Sequence, residues 1–203
     1  MVENFLDKAY ALETAEDTKA LYDAWSKSYE DEVGENGYAT PLRLATAIAQ
    51  HVAPDTRILD FGCGTGLCGM ALRSVGLTNI DGADLSDEML KGAQAKGIYK
   101  DLWRVQADAP LDFETGTYDA ITACGVIGVG AAPIEVFDTL MNALAPKGKL
   151  AFSFNDHALA DPIFEAKVME YTDCGFASLL VREYGDHLPG IDMKSMVYVI
   201  EKN

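Results

Sequence analysis

The chain is short of basic residues, short of cysteine and without a long apolar run, and each shortage removes a class of function. Lys and Arg total 16 against 32 Asp and Glu, a formal net charge of −16, with an isoelectric point near 4.4. Neutralising phosphates takes clustered cations, so this balance argues against nucleic acid and equally against docking on anionic lipid. The acidity reads instead as solubility. No apolar stretch approaches a membrane span, and the opening "MVENFLDKAY" has neither the basic start nor the apolar stretch of an export signal. Only four cysteines occur. Cys63 and Cys68 have no second pair near in sequence, so neither a zinc site nor a disulfide framework is expected. Reduced thiols and a cytoplasmic location are the expectation. Repeats, low-complexity segments and linkers are absent too. What remains, at 203 residues with 49% hydrophobic and 24% charged, is one unit able to bury its own core.

Within that unit the pattern changes once. Residues 1–53 read as a helical segment, with "ENFLDKAYAL", "DTKALYDAWSKSYEDEV" and "YATPLRLATAIAQHV" each at helical spacing. From 54 to 203, short β-rich runs alternate with helical ones: "RILDF", 66–75, "NIDGADL", 86–96, "DLWRVQAD", "YDAITAC", 133–144, "GKLAFSFN" and 161–174. That alternation predicts βαβ units on a parallel sheet. Ser86 and Asp161 stand as helix caps, with Gly97 and Gly175 past the helix ends. The runs "ASLLVREYGD" and "KSMVYVIEKN" are too close for a crossover helix, which makes them antiparallel.

"RILDFGCGTGLCGM", residues 57–70, carries the chemistry. A glycine turn between strand and helix brings backbone and free N–H groups up to a ligand, so a nucleotide-like molecule is expected there. Gly64-x-Gly66-x-x-Gly69 has dinucleotide spacing, and Asp84, 20 residues after Gly64, suits the hydroxyls of a ribose. Both fit NAD and S-adenosylmethionine alike. Two other acids separate them. The Asp60 carboxylate, just ahead of the turn, would repel a pyrophosphate and favour a sulfonium or an ammonium group. Asp108, with small Ala109 beside it, suits the exocyclic amine of an adenine. All four elements fall at the carboxyl ends of successive strands, where open α/β sheets bind ligands.

The ordered set "DFGCGTG", "DGADLSDEML", "QADA" and "YDAITACGVIGVG" resembles the class I S-adenosylmethionine-dependent methyltransferases. The resemblance implies an α/β fold: a Rossmann-like, mostly parallel seven-stranded sheet with an antiparallel last strand, here with an N-terminal helical lid. It also implies roles. Asp60, Gly62, Cys63, Gly64 and Gly66 would line the methionine end of S-adenosyl-L-methionine. Asp84 would take the ribose, Leu85 and Met89 would pack near the adenine, and Asp108 with Ala109 would receive its amine. Cys124 and Gly125 would flank the cofactor. "LYDAWSKSYEDEV" is similar to the Tyr-Asp-x-Trp-Ala-x-x-Tyr-Asp segment of a methyltransferase-like subset, departing from it at Ser26 and Glu30. Tyr22, Trp25 and Tyr29 would share one helical face, either as a core stripe or as a lid with Tyr29 over the cofactor.

A catalytic signature is missing. Methyl transfer to a good nucleophile is served by positioning and water exclusion, and a base is needed only where the acceptor must lose a proton. "CGVIGVGAAP" replaces the Asn/Asp-Pro-Pro-aromatic motif of many amine-modifying members, which argues against a DNA base or a glutamine amide. His157 is the one weak candidate for a base. His51, ending a helix, and His187, in the final hairpin loop, read as structural or exposed, and Cys174 as buried. The expectation is methyl transfer to a small-molecule acceptor, with no nucleic acid or membrane partner. A non-catalytic S-adenosylmethionine-binding protein and an NAD-dependent oxidoreductase are the alternatives.

Overall fold

The computed structural model describes residues 5, 14–26, 28–107 and 109–203. Of the helix expected over 3–12, Phe5 alone is among these, and it is helical; the rest lies outside them. The rest opens with α1 (Ala15–Trp25), α2 (Tyr29–Glu35) and α3 (Thr40–Ala49), followed by the alternating elements. Strands β1 (Ile58–Phe61), β2 (Ile80–Asp84), β3 (Leu102–Arg104), β4 (Ala120–Ala123), β5 (Lys149–Asn155), β6 (Ala177–Leu188) and β7 (Met193–Lys202) form one sheet in the order β3-β2-β1-β4-β5-β7-β6. The pairs among β1 to β5 are parallel, and β7 runs antiparallel between β5 and β6. Helices α4 (Leu67–Ser74), α5 (Asp87–Lys96), α6 (Glu135–Ala143), α7 (Asp156–Leu159) and α8 (Pro162–Asp173) complete the chain.

Alternation along the inner strands sends side chains to two cores. Leu150, Phe152 and Phe154 of β5 and Met196, Tyr198 and Ile200 of β7 meet Phe137, Leu140 and Phe164 from α6 and α8. Ala151, Val197 and Val199 point the other way, onto Leu44 and Ile48 of α3 and Leu72 of α4. A third, smaller cluster joins Trp25, Val33 and Leu188 to Tyr22, Tyr29, Tyr38 and Leu67.

The predicted caps form. Ser86 Oγ accepts from Met89 N at 3.1 Å and Asp161 from Ile163 N at 3.0 Å. Three local readings need correction. The helix expected across 17–33 is two helices, because serines compete for backbone partners at the break. Ser26 Oγ donates to Asp23 O at 2.9 Å, and Ser28 N takes Trp25 O at 2.9 Å. Cys174 is exposed, since the last turn of α8 faces solvent. His187 is not in the hairpin loop; β6 continues past it and buries it, and Pro189–Ile191 makes the turn.

Candidate active site

Gly62, Gly64 and Gly66 turn the chain from β1 into α4 with φ of +67°, +54° and +97°, angles that side-chain-bearing residues rarely adopt. A Cβ on Gly62 would run into Val126, whereas one on Gly64 would meet no atom within 4 Å. The first glycine is thus required by packing and the second faces open space. That space is a recess of about 280 Å³, counted with the solvent it opens to, walled by the loop, Leu67 and Cys68 of α4, Cys124 past β4, and Tyr29, Tyr38 and Pro41. Thr65 lines it too, and its hydroxyl is buried without a hydrogen-bond partner among the described residues. Cys63 is buried, which drives its thiol well above the usual range, and Cys124 is half-buried.

Asp60 lies beneath the loop, fully buried. Tyr99 donates its hydroxyl to one carboxylate oxygen at 2.6 Å and Thr122 to the other at 2.8 Å. Burial raises the Asp60 pKa against the opposing pull of these two bonds. Tyr99 reaches Asp60 by crossing Gly69 and Gly82, each of which would strike the phenol with any side chain. The third glycine of the dinucleotide-type spacing therefore makes room for a tyrosine. Asp84, at the end of β2, is also raised by burial. Its oxygens accept from Gly64 N at 2.8 Å and Ser86 N at 2.9 Å, which fixes it against the loop with lone pairs to spare. Leu85 is half-buried beside it, Met89 is fully buried in α5, and Ala109 is exposed. Asp108 lies outside the described residues.

The N-terminal helices sit over this loop. Ser86 donates to Asp23 of α1 at 2.5 Å, and Lys96 pairs with Glu30 of α2 while donating to Thr65 O at 2.7 Å. Tyr22, Trp25 and Tyr29 still cluster across the break, with Trp25 and Tyr29 edge-on at 4.9 Å. Beneath them opens a larger hollow of about 640 Å³, counted with the solvent it opens to. Its wall runs from the three rings and Tyr38 through Gly125 and residues 127–131 to Ser153, Asn155, His187 and Leu188. No Asp, Glu, Lys or Arg is among these described residues. Tyr29 and Tyr38 belong to both hollows. Tyr38 is held by Gly125, where a Cβ would come within 2.9 Å of its hydroxyl, and by an edge-on contact with His187 at 5.2 Å. His157, on α7, is exposed and does not line the cavity.

Sequence reasoning passed over Tyr99, Tyr38 and His187. Tyr99 carried a usable signal, since glycines at 69 and 82, on a helix and mid-strand, ask for something large between them. Tyr38 and His187 carried none, because each acquires its neighbours only through the fold.

The recess offers a glycine with open space in front, an unpartnered hydroxyl and a helix N-terminus, with the Asp84 carboxylate bonded to its loop, which suits the methionine end of S-adenosylmethionine. Among the described residues, no three His, Cys, Asp or Glu lie together as a metal site, and no helix is long and apolar enough to cross a membrane. Comparison with known proteins agrees with the cofactor. Residues 34–193 match a methyltransferase domain family. Methyltransferase-like protein 27 of Homo sapiens is 35% identical over 125 residues, covering 59% of this chain and 51% of that protein. Ubiquinone biosynthesis O-methyltransferase of Burkholderia ambifaria is 28% identical over 135 residues, 64% of this chain and 58% of that one. The chain thus spans about half the length of these curated relatives. In three dimensions it resembles the [4+2]-cyclase SpnF, with a TM-score of 0.69 at 17% identity over 94% of this chain and 97% of that one. It also resembles a TehB-like SAM-dependent methyltransferase from Corynebacterium glutamicum, with a TM-score of 0.61 at 18% identity over 91% and 99%. These two likenesses speak to fold alone. The family match spans most of the chain, from α2 to β7, and on that ground the chain belongs to the methyltransferase domain family, whose cofactor is S-adenosylmethionine.

Proposed function

We propose that the chain transfers a methyl group from S-adenosylmethionine to a small-molecule acceptor held in the larger cavity. The observation that carries this reading is the pair of adjoining hollows. One lies on the glycine loop, the other under the lid, and they meet at Tyr29 and Tyr38. S-adenosylmethionine supplies an electrophilic methyl on a good leaving group, so the chain's own task is to position, orient and dry the site. Gly62, Cys63, Gly64, Gly66 and Thr65 would hold the methionine end, with Cys124 and Gly125 alongside. Asp84 would offer its free lone pairs to the ribose. Leu85, Met89, Asp108 and Ala109 would frame the adenine. Asp60 would act from beneath the loop, lending negative potential and fixing Tyr99 and Thr122. Helices α1 and α2, pinned by Ser86 and Lys96, would exclude water. His157 lies away from the cavity wall, so the proposal assigns it no proton transfer.

The small acceptor is favoured by the uncharged, aromatic-rich wall, and a nucleic acid is disfavoured by the net charge of −16. The test is calorimetry with S-adenosylhomocysteine, followed by transfer of label from the methyl-labelled donor to a panel of small molecules, proteins and RNA. Micromolar binding and label on small molecules are expected. Label only on macromolecules would overturn the acceptor class, and NADH binding without S-adenosylhomocysteine binding would overturn the cofactor site.

A further inference from the structure

One wall of the larger cavity contains a device that the proposed reaction does not by itself require. His187 is 7% exposed and lines the cavity. It sits where the β6–β7 register slips between Asp186 and Leu188, so it is the extra residue of a β-bulge. Bulges re-aim side chains and are frequent beside functional sites. The carbonyl of His187 is taken by Ala39 N at 2.9 Å, which ties the bulge to the start of α3.

The ring is held by a chain of bonds whose direction can be worked out. Arg43 has only donors, and it donates to Ser195 Oγ at 3.0 Å. Gly185 makes room for that guanidinium, since a Cβ there would come within 2.9 Å of it. Ser195 Oγ is 2.8 Å from Thr40 Oγ1, and Thr40 Oγ1 is 2.8 Å from His187 Nδ1. Ser195 and Thr40 are both fully buried, so each hydroxyl hydrogen must find an acceptor. With Arg43 donating at one end, Ser195 donates to Thr40, and Thr40 donates to His187 Nδ1. The reverse direction would leave the Ser195 hydroxyl hydrogen with nowhere to go. Nδ1 is therefore an acceptor, and the ring proton resides on Nε2. Nε2 makes no bond to any described residue, and it is the nitrogen left to the cavity.

From this we infer that His187 presents a fixed Nε2–H to the methyl acceptor, and that the acceptor is an uncharged, flat molecule bearing a carbonyl-type oxygen. The aromatic wall of Tyr22, Trp25, Tyr29 and Tyr38 selects the flat body. The lack of charged side chains among the lining residues disfavours an ionic group. The fixed tautomer makes His187 a reader of oxygen lone pairs and not a proton acceptor. The charged and titratable groups around the ring act in both directions. Asp156 favours its protonation, whereas Arg43, His157 and burial oppose it. The acceptor assignment rests on the cavity being the methyl-acceptor site; the tautomer does not.

The experiment is nitrogen–proton correlation spectroscopy on the full chain labelled at histidine nitrogens and saturated with S-adenosylhomocysteine, whose binding is measured on the same sample. His187 is identified by the signal missing from His187→Phe. A signal of the Nε2–H tautomer, unchanged from pH 7.5 to 5.5, is expected; an Nδ1–H tautomer, or a doubly protonated ring at pH 5.5, overturns the relay. Thr40→Val, which keeps the ring's surroundings but removes the donor at Nδ1, should introduce the Nδ1–H form, and an unchanged spectrum overturns the relay as well. Benzamide should shift the Nε2–H signal and bind about five- to tenfold more tightly to the native protein than to His187→Phe. Absent benzamide binding, binding that leaves Nε2–H unmoved, or equal binding of benzylammonium overturns the acceptor assignment. Loss of S-adenosylhomocysteine binding would strike the cofactor site and leave the tautomer result standing.

Discussion

The two hollows share two tyrosines and differ in how they are built. The glycine-loop recess is made largely from one run of chain, residues 62–68, braced by Asp84. Its shape follows from backbone angles and from side chains that are absent. The larger cavity gathers residues from α1 and α2, the β4–α6 loop, β5 and the bulge in β6. Its shape follows from side chains that meet only after folding. A cofactor common to a family suits a local motif, which descends intact. An acceptor peculiar to one protein suits an assembled wall, which changes without disturbing the motif. Substitutions in the first hollow should therefore act on cofactor affinity, and substitutions in the second on the acceptor and on stability.

Gly64→Ala should give the largest effect. The folded chain has room for the methyl group, so the cost to stability is the positive φ alone, about 1 kcal/mol. The methyl would occupy the space in front of the loop, and affinity for S-adenosylhomocysteine should fall by more than about 100-fold. Calorimetry with a parallel melting curve separates the two. A stable variant with native affinity would detach the loop from the cofactor.

Asp84→Ala comes next. It removes an acceptor from the Gly64 and Ser86 N–H groups and, in the proposed role, from the ribose. Binding of S-adenosylhomocysteine should weaken by about 1.5–3 kcal/mol, the range of bonds to a charged group. Adenine alone should lose far less, which competition titrations would reveal.

The acceptor side should announce itself through pH. Burial lowers the His187 pKa from 6.5 to about 4. A depressed histidine favours the neutral form in the fold, so its share of stability is fully present above pH 6.5. That share declines as the unfolded chain takes up a proton on the way down to pH 4. Between pH 7.5 and 5 the loss should be about 2 kcal/mol. Asp60 and Asp84, raised by burial, act with the opposite sign at lower pH. The quantity to measure is thus the native chain minus His187→Gln, as urea midpoints at both pH values. A flat difference would mean the ring already shares a proton with solvent.

The same contrast governs what could be read from the residues. The parallel sheet, the β7 reversal, the caps at Ser86 and Asp161 and the glycine loop all rest on spacing within a few residues, and all appear. The single helix expected through Trp25 and Tyr29 does not, because periodicity ignores the serines that stop it. His187 looked like a hairpin residue because nothing local shows that β6 carries a bulge there. Its relay needs Thr40, Arg43 and Ser195, about 150 residues away on one side and eight on the other. Asp60 was legible as an acid before the turn, but its depth and the Tyr99 and Thr122 hydroxyls bonded to it were not.

Tyr99→Phe should give the smallest effect and sharpens the boundary between the hollows. The ring would keep its slot over Gly69 and Gly82, so packing is preserved. What is lost is the 2.6 Å bond to Asp60, leaving a fully buried carboxylate to Thr122, with weaker support from the Cys68 thiol and the Gly69 N–H. Stability at neutral pH should fall by about 1–2 kcal/mol. With one donor fewer, burial should raise the Asp60 pKa further, so part of the loss is recovered as pH falls and the carboxylate takes up a proton. Because Asp60 supports the loop from below, S-adenosylhomocysteine should weaken by only a few fold, while benzamide binding in the cavity beyond Tyr38 stays as it was. Equal losses of both ligands would show that the two hollows move as one, and that the division at Tyr29 and Tyr38 is one of shape without being one of energy.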